Sequence, residues 1–323
     1  MKALLQYLIA ALYVWPLIAL HSCLPCSRCN APQCTSFIQS VHYTKDKLTE
    51  FSGFSRKPKT IALKRKRLHE ISGIAPSLQY KGVLYMHEDS GHPNCLYRTN
   101  EKGEDLGRLI ISKSYNRDWE DIAVEPGPSP EHHYIYVADI GDNNAWRCTI
   151  HIYRMPEPAF KTQAVPVQQT VKNVEDITLQ YPYKPHNAET ILLCPFTRDL
   201  YIATKEDDSC RIYVARYPQS TKHKTILEPV ITLPFSLVTS GNIANNGFEI
   251  ILRNEHFYWY WKRAKGETVA TALRRPPQQI IPPTKEPQGE AICFAADQHG
   301  YYTCSEVNSK QAPVIYLYKR EFE

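Results

Sequence analysis

Glu120-Asp121-Ile122-Ala123 is one of five copies of a short phrase, in which a mostly polar pair precedes an isoleucine and a small or apolar residue. The other copies are Ser72-Gly73-Ile74-Ala75, Glu189-Thr190-Ile191-Leu192, Gly241-Asn242-Ile243-Ala244 and Glu290-Ala291-Ile292-Cys293. The isoleucines stand 48, 69, 52 and 49 residues apart. A period of about fifty residues is typical of a closed or stacked array of one supersecondary unit. The repeat therefore predicts an architecture rather than a reaction.

Each repeat contains short runs rich in Tyr, Ile and Val that are separated by Pro, Gly, Asn and Asp. This pattern indicates short β-strands joined by turns. The predicted strands are 70–75, 82–87, 94–98, 106–112, 119–124, 133–139, 148–154, 172–180, 188–194, 199–205, 210–216, 226–233, 239–244, 247–253, 256–262, 268–281, 290–295, 301–306 and 314–320. The chain is therefore predicted to be all-β.

The fifth unit is one strand short, and a strand of suitable length at 60–64 precedes the first unit. A ring closes when an N-terminal strand completes the last sheet, and closure leaves only short, protected edges. We therefore predict a β-propeller of four-stranded blades that is closed by the N-terminal strand. Strand counting gives five blades, and six are the alternative if 155–186 contains a further hairpin.

The N-terminus carries the features of an export signal. Lys2 is followed by an uncharged stretch, 3–20, which is barely long enough to span a bilayer. Its end, Leu20-His21-Ser22-Cys23, resembles a bacterial lipoprotein signal in which Cys23 takes the lipid. Plain secretion and a retained anchor are the alternatives. We divide the chain into a signal at 1–22, a Cys- and Pro-containing tether at 23–57 and a propeller at 58–323, and we expect it in the cell envelope, anchored to a membrane by lipid or secreted.

The ten cysteines form two sets. Cys23, Cys26, Cys29 and Cys34 crowd the tether, where a metal site competes with oxidised or free thiols. The others are dispersed, and an oxidising compartment permits disulfides between them. If 297–300 is a four-residue hairpin loop, Cys293 lies opposite Cys304, which predicts a cross-strand disulfide. Two buried free thiols are the alternative.

The net charge is +5, and much of the excess lies in the basic run 64–67. This run is either a solvated edge strand or a patch that meets membrane phosphates. The sequence has no P-loop, dinucleotide fingerprint or nucleic-acid motif, so we expect no nucleic-acid partner. We expect a monomer.

Polar residues open the first strand of each predicted blade, and charged residues end the second strand. Because these two strands are antiparallel, both positions fall at one end of the ring. Converging carboxylates raise one another's pKa or hold a cation, and hard oxygen ligands suit Ca²⁺ better than zinc. The predicted metal ligands are Glu70, Glu120, Glu189, Asn242 and Glu290. Structural ion pairing and acid–base catalysis are the alternatives.

Further residues at the same end are candidates for binding a ligand. They are Asp89, Trp119, Asp121, Asp139, Asp142, Asn143, Lys205, Arg253 and Glu306. Several have a structural alternative: Lys205 and Arg253 as ion-pair partners, the loop 139–143 as an Asx-type turn, and Trp119 and Trp146 as packing residues. The catalytic candidates are Glu120 and His87, whose imidazole stands close to carboxylates in the sequence.

The motifs in combination resemble those of a family of exported bacterial propeller proteins. They are Glu70-x-Ser72-Gly73-Ile74-Ala75, His87-x-Asp89-Ser90-Gly91, Asp118-Trp119-Glu120-Asp121-Ile122-Ala123, Asp139-Ile140-Gly141-Asp142-Asn143, His186-Asn187-Ala188-Glu189 and Pro287-Gln288-Gly289-Glu290-Ala291. The resemblance implies export and a propeller, but no particular activity. More distantly, the chain is similar to the calcium-dependent phosphotriesterase and gluconolactonase propellers, which hold one divalent cation at the channel mouth. The matching residue types here are the five predicted metal ligands.

The sequence thus favours an exported, lipid-anchored propeller that binds a small molecule or an envelope component at an acidic, calcium-loaded mouth. The alternative is a metal-dependent hydrolase of a lactone or phosphoester, with Glu120 as the general base. A purely structural envelope protein is a third hypothesis.

Overall fold

The computed structural model of the chain describes residues 38–42, 44, 48–160, 166–280, 284, 286–308 and 311–321. These residues form five sheets, each built on four antiparallel strands, as predicted from the repeat. Blade 1 contains β2 (Ile71–Pro76), β3 (Val83–Glu88), β4 (Cys95–Asn100) and β5 (Asp105–Ile111); blade 2 contains β6 (Trp119–Pro126), β7 (His133–Asp139), β8 (Ile150–Pro156) and β10 (Glu175–Gln180). Blade 3 contains β11 (Ala188–Leu193), β12 (Leu200–Thr204), β13 (Cys210–Ala215) and β15 (Glu228–Leu233); blade 4 contains β16 (Ser240–Ile243), β17 (Glu249–Arg253), β18 (Tyr258–Lys262) and β19 (Gln278–Ile280). Blade 5 contains β20 (Gln288–Phe294), β21 (Gly300–Glu306), β22 (Val314–Lys319) and β1 (Lys59–Ala62).

The innermost strands close a five-membered ring. β2 contacts β6 and β20, β11 contacts β6 and β16, and β16 contacts β20. The repeated phrase lies on these five strands, so its period reflects one blade per copy. The five-bladed propeller predicted from the sequence is confirmed, and the six-bladed alternative is wrong.

The N-terminal strand completes the last blade, as predicted. β1 pairs antiparallel with β22, from Lys59 opposite Leu317 to Ala62 opposite Val314. Ile61 points into the blade and is buried. The first and last parts of the propeller are therefore joined within one sheet, which fixes the ring.

The long segment between the second and third copies of the phrase supplies an extra strand to blade 1. β9 (Val167–Val171) pairs in parallel with β5, at the outer edge of blade 1. In the same way, β14 (Thr225–Ile226) pairs in parallel with β10, at the edge of blade 2. Each insertion thus covers an edge that would otherwise present unpaired backbone groups.

The predicted strand 268–281 is wrong in its first half. Residues Val269–Leu273 form helix α1, and only Gln278–Ile280 form the outer strand β19. Thr268 caps the helix by accepting a hydrogen bond from the backbone N–H of Thr271. Val269, Ala272 and Leu273 are buried, which is the spacing of a helix face rather than of a strand.

Part of the segment assigned to the tether lies along the outer edges of two blades. Ser40 bridges to Thr232 in blade 3, and Glu50 bridges to Gln279 in blade 4. The signal at 1–22 and the predicted lipidation site Cys23 lie outside the described residues. Within the described residues, no helix is long and apolar enough to cross a membrane.

The predicted disulfide between Cys293 and Cys304 is wrong. Both residues are buried free thiols, because the register of β20 and β21 places Cys293 opposite Tyr302 and Cys304 opposite Ala291. The hairpin loop lies at 296–299, one residue earlier than predicted, because the Ala295 N–H donates to the Gly300 carbonyl at 2.9 Å. This shift moves the two sulfurs out of register.

Candidate functional site

One irregularity shapes one end of the channel in four of the five blades. In β2, β6, β11 and β20 the pairing slips by one residue near the start of the strand. The bulged residues are Ser72, Glu120, Glu189 and Glu290, which all stand two positions before the isoleucine of the phrase. A bulge re-aims the side chain of the extra residue, so the phrase delivers three glutamates to the same end of the ring. β16 pairs without a slip, and Gly241 holds this position there.

Three carboxylates lie together beside the bulge of blade 2. Asp89 follows β3, Asp118 precedes β6, and Glu120 is the bulged residue itself. Each offers a carboxylate oxygen that lies within 4.8 Å of the other two. We call these three residues the acid cluster.

Three more acids and one lysine continue this end of the channel. Lys205, at the end of β12, places its Nζ 2.6 Å from Glu189 Oε2. Gln288 Nε2 donates to Glu290 Oε1 at 3.1 Å and to Glu306 Oε2 at 2.7 Å, which joins the two acids of blade 5. The positive charge of Lys205 also acts on Glu120 and Glu290. We call the acid cluster together with Glu189, Glu290, Glu306 and Lys205 the acidic mouth.

Burial and mutual repulsion make these acids hold their protons. Burial first, and then neighbouring carboxylates, raise the pKa of Asp118 to about 6 and that of Glu306 to about 7. Burial also raises the pKa of Glu189 to about 8, although Lys205 acts in the opposite direction. The pKa of Glu120 lies well above its usual range because the side chain is buried among Glu189, Asp89 and Asp118. Near neutral pH the acidic mouth therefore gains from either protons or a cation.

The loop after β7 approaches the acid cluster through a glycine. The N–H of Gly141 donates to the Asp118 carbonyl at 3.2 Å. A Cβ at this position would lie 2.2 Å from Glu120 Oε1 and 2.4 Å from Asp118 Oδ2. Any larger residue would displace both carboxylates.

Three predicted ligand-binding residues of this loop serve the loop itself. Asp139 pairs with Arg147 at 2.8 Å, and both side chains are buried. Asp142 accepts a hydrogen bond from the backbone N–H of Arg147 at 2.6 Å, in the Asx-type turn that was the structural alternative for this loop. Asn143 accepts a hydrogen bond from Asn187 at 3.1 Å, which joins blade 2 to blade 3. Their side chains are thus engaged in shaping the wall beside Gly141.

Three further predicted residues lie in the seams between blades: Trp119, Asp121 and Arg253. Trp119 is completely buried and donates its indole N–H to the Tyr115 carbonyl at 3.1 Å, so it has no face for a ligand. Asp121 is buried and accepts the N–H groups of Ile122 and Ile191, each at 2.9 Å. It therefore links the innermost strands of blades 2 and 3.

Arg253 points away from the mouth into the seam between blades 4 and 5. Its guanidinium pairs with Glu286 at 2.9 Å, and both side chains are buried. Gly289 makes room for it, because a Cβ there would lie 1.7 Å from Arg253 Nη2. This arrangement is the structural ion pair that the sequence left open for Arg253, although the partner is Glu286 rather than a mouth glutamate.

The catalytic candidate His87 is completely buried behind β2. Its Nε2 would lie 2.2 Å from a Cβ on Gly73, and burial lowers the pKa of the imidazole to about 4. A neutral, enclosed imidazole of this kind does not reach a ligand at the mouth. His87 is a packing residue, which was the structural alternative.

Two of the five predicted metal ligands do not join the other three. Glu70 is half exposed and pairs with His92 at 3.3 Å, at the edge of the mouth. Asn242 Oδ1 accepts the N–H of Phe294 at 3.1 Å, farther along the channel. Asn242 stands one position before the isoleucine, as Asp121 does in blade 2, and Gly241 holds the position of the mouth glutamates. Glu120, Glu189 and Glu290 are the predicted ligands that the structure brings to one opening.

Asp118 is a site residue that the sequence reasoning did not select. The motif Asp118-Trp119-Glu120 contains the signal, because residues two apart on a strand share a face. The residue precedes the repeated phrase, so alignment of the five copies gives it no counterpart.

The acid cluster fits a hard divalent cation. Ca²⁺ binds oxygens at roughly 2.3–2.6 Å, so two oxygens on one ion are at most about 5 Å apart. The oxygens of Asp89, Asp118 and Glu120 meet this limit. All donors in the cluster are carboxylate oxygens, a ligand set that suits Ca²⁺ better than zinc.

No protein-family model matches the chain, and no curated protein matches it. Among solved structures, the chain is similar to a luciferin-regenerating enzyme, with a TM-score of 0.45 and 9% sequence identity over 82% of this chain and 98% of that one. This likeness carries no functional argument. The family resemblance of the sequence motifs stays a prediction.

Proposed function

We propose that this propeller is a binding module that holds a divalent cation, Ca²⁺ by its ligand chemistry, at the acidic mouth. The cation and the surrounding polar groups would bind an oxygen-rich small molecule or envelope component. The observation that carries the proposal is the acid cluster, in which three carboxylates from two blades converge within 4.8 Å. Such convergence is unfavourable unless protons or a cation compensate the charge.

Electrostatic balance favours a cation over internal pairing. Six carboxyl groups line the acidic mouth, and Lys205 contacts Glu189 directly. Asp118 has no pairing with Lys205 and is surrounded mainly by other acids, which act to raise its pKa. A divalent ion in the acid cluster would replace protons by a fixed positive charge close to the oxygens.

Calcium titration of the purified protein tests this proposal. We expect one Ca²⁺ per chain by calorimetry, with a rise in the melting temperature. Asp118→Asn removes one ligand charge while preserving shape, and we expect at least a tenfold loss of affinity, as a rough figure for one lost ligand. The matched control is Glu104→Gln, an exposed acid that pairs with Lys64 outside the mouth.

Two results would contradict the proposal. One is a protein whose melting temperature and heat of titration are unaffected by Ca²⁺, Mg²⁺ and Mn²⁺, which would favour a purely structural role. The other is an Asp118→Asn variant that binds as tightly as the Glu104→Gln control.

Metal-dependent hydrolysis of a lactone or phosphoester is a second candidate. The observation in its favour is that the pKa values of Asp118 and Glu306, at about 6 and about 7, lie near neutrality. Such groups exchange protons efficiently at ordinary pH. Glu120 is the base expected from the sequence. Cation-dependent turnover of a lactone and phosphoester panel would support the hydrolase if Glu120→Gln abolishes it even at a Ca²⁺ concentration that saturates the variant. If no compound of the panel is hydrolysed, the binding module is favoured.

The proposed location is the cell envelope, with lipid on Cys23 as the anchor. This part rests on the sequence of the first 23 residues. Intact mass spectrometry of the mature protein tests it. A mature chain that begins at lipid-modified Cys23 is expected, and an unprocessed N-terminus would contradict export.

A further inference from the structure

A second cavity opens at the end of the ring opposite to the acidic mouth. It lies at the seam where blade 1 meets blade 5, between the turn after β2 and the turn after β20. Its volume is about 320 Å³, which is at the lower end of the roughly 300–1,000 Å³ of small-molecule sites. The cavity is therefore large enough for a compact organic molecule.

The walls of this cavity are apolar, and its rim carries more negative than positive charge. Pro76, Leu84 and Ala295 are among its apolar lining residues. The charged lining residues are Glu101 and Asp297, with Lys81 as the cationic one. Tyr302 donates its hydroxyl to Glu101 Oε1 at 2.9 Å, which fixes that carboxylate beside the opening. An apolar wall with a fixed acid at its rim is complementary to an organic cation.

A buried acid without a hydrogen-bond partner lies next to the cavity. Glu125, near the end of β6, is 3% exposed, and its Oε2 has no hydrogen-bond partner. It lines a small void together with Asn242 and Asn245. Because a buried polar atom without a partner is unfavourable, this oxygen is available to a donor that comes from outside the chain.

The void and the cavity share a thin wall. Pro76, Leu78, Ala295 and Ala296 line both of them. Leu78 is only partly buried, and a molecule that spans both spaces requires its side chain to rotate out of this wall. A molecule with one donor at the rim and another at its far end would then satisfy both Glu101 and Glu125.

We propose that this cavity binds a small alkyl diamine, with its apolar body against Pro76 and Ala295. One ammonium group lies against Glu101 and Asp297, and the second nitrogen donates to Glu125. The site is separate from the acidic mouth, because it is built from the opposite ends of β2 and β20. Its occupancy is independent of the cation there.

Calorimetric titration with 1,5-diaminopentane, 1-aminopentane and 1-pentanol tests the proposal. We expect the diamine to bind at least fivefold tighter than the monoamine, and pentanol to give no measurable binding. Glu125→Gln keeps both the shape and the acceptor oxygen of a carboxyl whose pKa burial raises well above its usual range, so we expect it to fold normally and to retain the advantage of the diamine. Glu125→Met has a similar size but no oxygen acceptor, and we expect it to remove that advantage.

Three variants locate the bound amine. Ala296→Trp fills the cavity and is expected to abolish binding of both amines, while Glu101→Gln is expected to weaken both at least fivefold. Glu104→Gln, an exposed acid on the same β4–β5 hairpin, is the control and is expected to change nothing. Asp118→Asn tests whether the acidic mouth is the true amine site, and we expect it to have no effect.

The proposal is overturned if neither amine binds better than pentanol, or if Ala296→Trp binds them like the unmodified protein. It is also overturned if Asp118→Asn or saturating Ca²⁺ abolishes amine binding, because the amine would then occupy the mouth. A diamine that binds no tighter than the monoamine would refute the role of Glu125.

Discussion

Replacement of Lys205 by Met removes the ammonium group that holds Glu189 in the acidic mouth. The two groups are 2.6 Å apart, and the Glu189 side chain is 6% exposed. Without Lys205, Glu189 must either keep its proton or remain as a buried, unpaired carboxylate. The loss of stability is therefore expected to depend strongly on pH.

The direction follows from the pKa of Glu189, which rises from 4.5 to about 8 on folding. The folded protein holds this proton more tightly than the unfolded chain does, so the stabilising contribution is greatest below pH 4.5 and is lost as the pH rises through about 8. In Lys205→Met the pKa rises further, because the attraction of Lys205 is gone. The unmodified protein therefore stops losing stability from this group above about pH 8, whereas the variant continues to lose it.

The magnitude is bounded by two limits. Well below pH 8 the proton remains on Glu189, and the variant loses little more than one hydrogen bond, about 1 kcal/mol. Above pH 8 the variant approaches the loss for breaking a buried pair, about 3 kcal/mol. In a domain of this size, that corresponds to a fall of about 6 °C in the melting temperature.

Urea denaturation in the presence of a chelator, at about pH 5.5 and about pH 9.5, measures both limits. Lys64→Met is the matched control, because its pair with Glu104 is exposed on both sides, and we expect no measurable change. Equal losses for Lys205→Met at the two pH values would refute the reasoning. So would a control variant that loses as much as Lys205→Met.

Stabilisation by Ca²⁺ is expected to be large near pH 8 and to vanish near pH 5, because the mouth acids must release protons before they bind a cation. Scanning calorimetry with and without Ca²⁺ measures this pH dependence. A stabilisation by Ca²⁺ that grows toward acid pH would contradict the proposed site. Gly141→Ala is expected to weaken Ca²⁺ binding at least tenfold with an intact fold, as a rough figure, since its Cβ would lie 2.2 Å from Glu120 Oε1. Calorimetric titration measures the Ca²⁺ affinity, and circular dichroism checks the fold. An unchanged Ca²⁺ affinity would show that the loop moves to make room for the added methyl group. Cys293 and Cys304 are expected to react with an alkylating agent after unfolding without a reductant, because both are free thiols; peptide mass spectrometry that finds them linked would contradict the observed register.

The ring was predictable because each copy of the phrase marks one innermost strand. The buried isoleucines Ile74, Ile122 and Ile191 repeat a packing position, so their spacing reports the length of a blade directly. The closing strand β1 was equally accessible, since the last unit lacked one strand. These features depend on local hydrophobic pattern and on strand count, which a sequence displays.

Other parts of the fold depend on contacts that no local pattern displays. The pairing of β9 with β5 joins residues about 60 positions apart, in parallel. Nothing in a run such as Val167–Val171 specifies which blade edge it will cover. Helix α1 was missed because its five residues are rich in Val, Ala and Thr, and the capping by Thr268 is a weak signal.

The sequence predicted where the candidate site lies, but it did not predict all of the residues that form it. Strand direction alone brings Glu120, Glu189 and Glu290 to one opening, and the bulges complete the arrangement. Asn242 falls outside because it stands one position before the isoleucine, so that Gly241 rather than Asn242 aligns with the mouth glutamates. Arg253 turns away because Gly289 of the next blade leaves space for its guanidinium. Such contacts between neighbouring blades depend on the tertiary structure, which the local sequence does not display.

The most direct test of the account is a crystal structure of the protein grown with Ca²⁺, with anomalous diffraction recorded at long wavelength. A single anomalous peak is expected among the carboxylates of Asp89, Asp118 and Glu120, at about 2.3–2.6 Å from one oxygen of each. The peak should be absent from crystals of Asp118→Asn grown under the same conditions. An acid cluster that stays empty in Ca²⁺, or a peak elsewhere in the molecule, would contradict the claim that this mouth holds a cation.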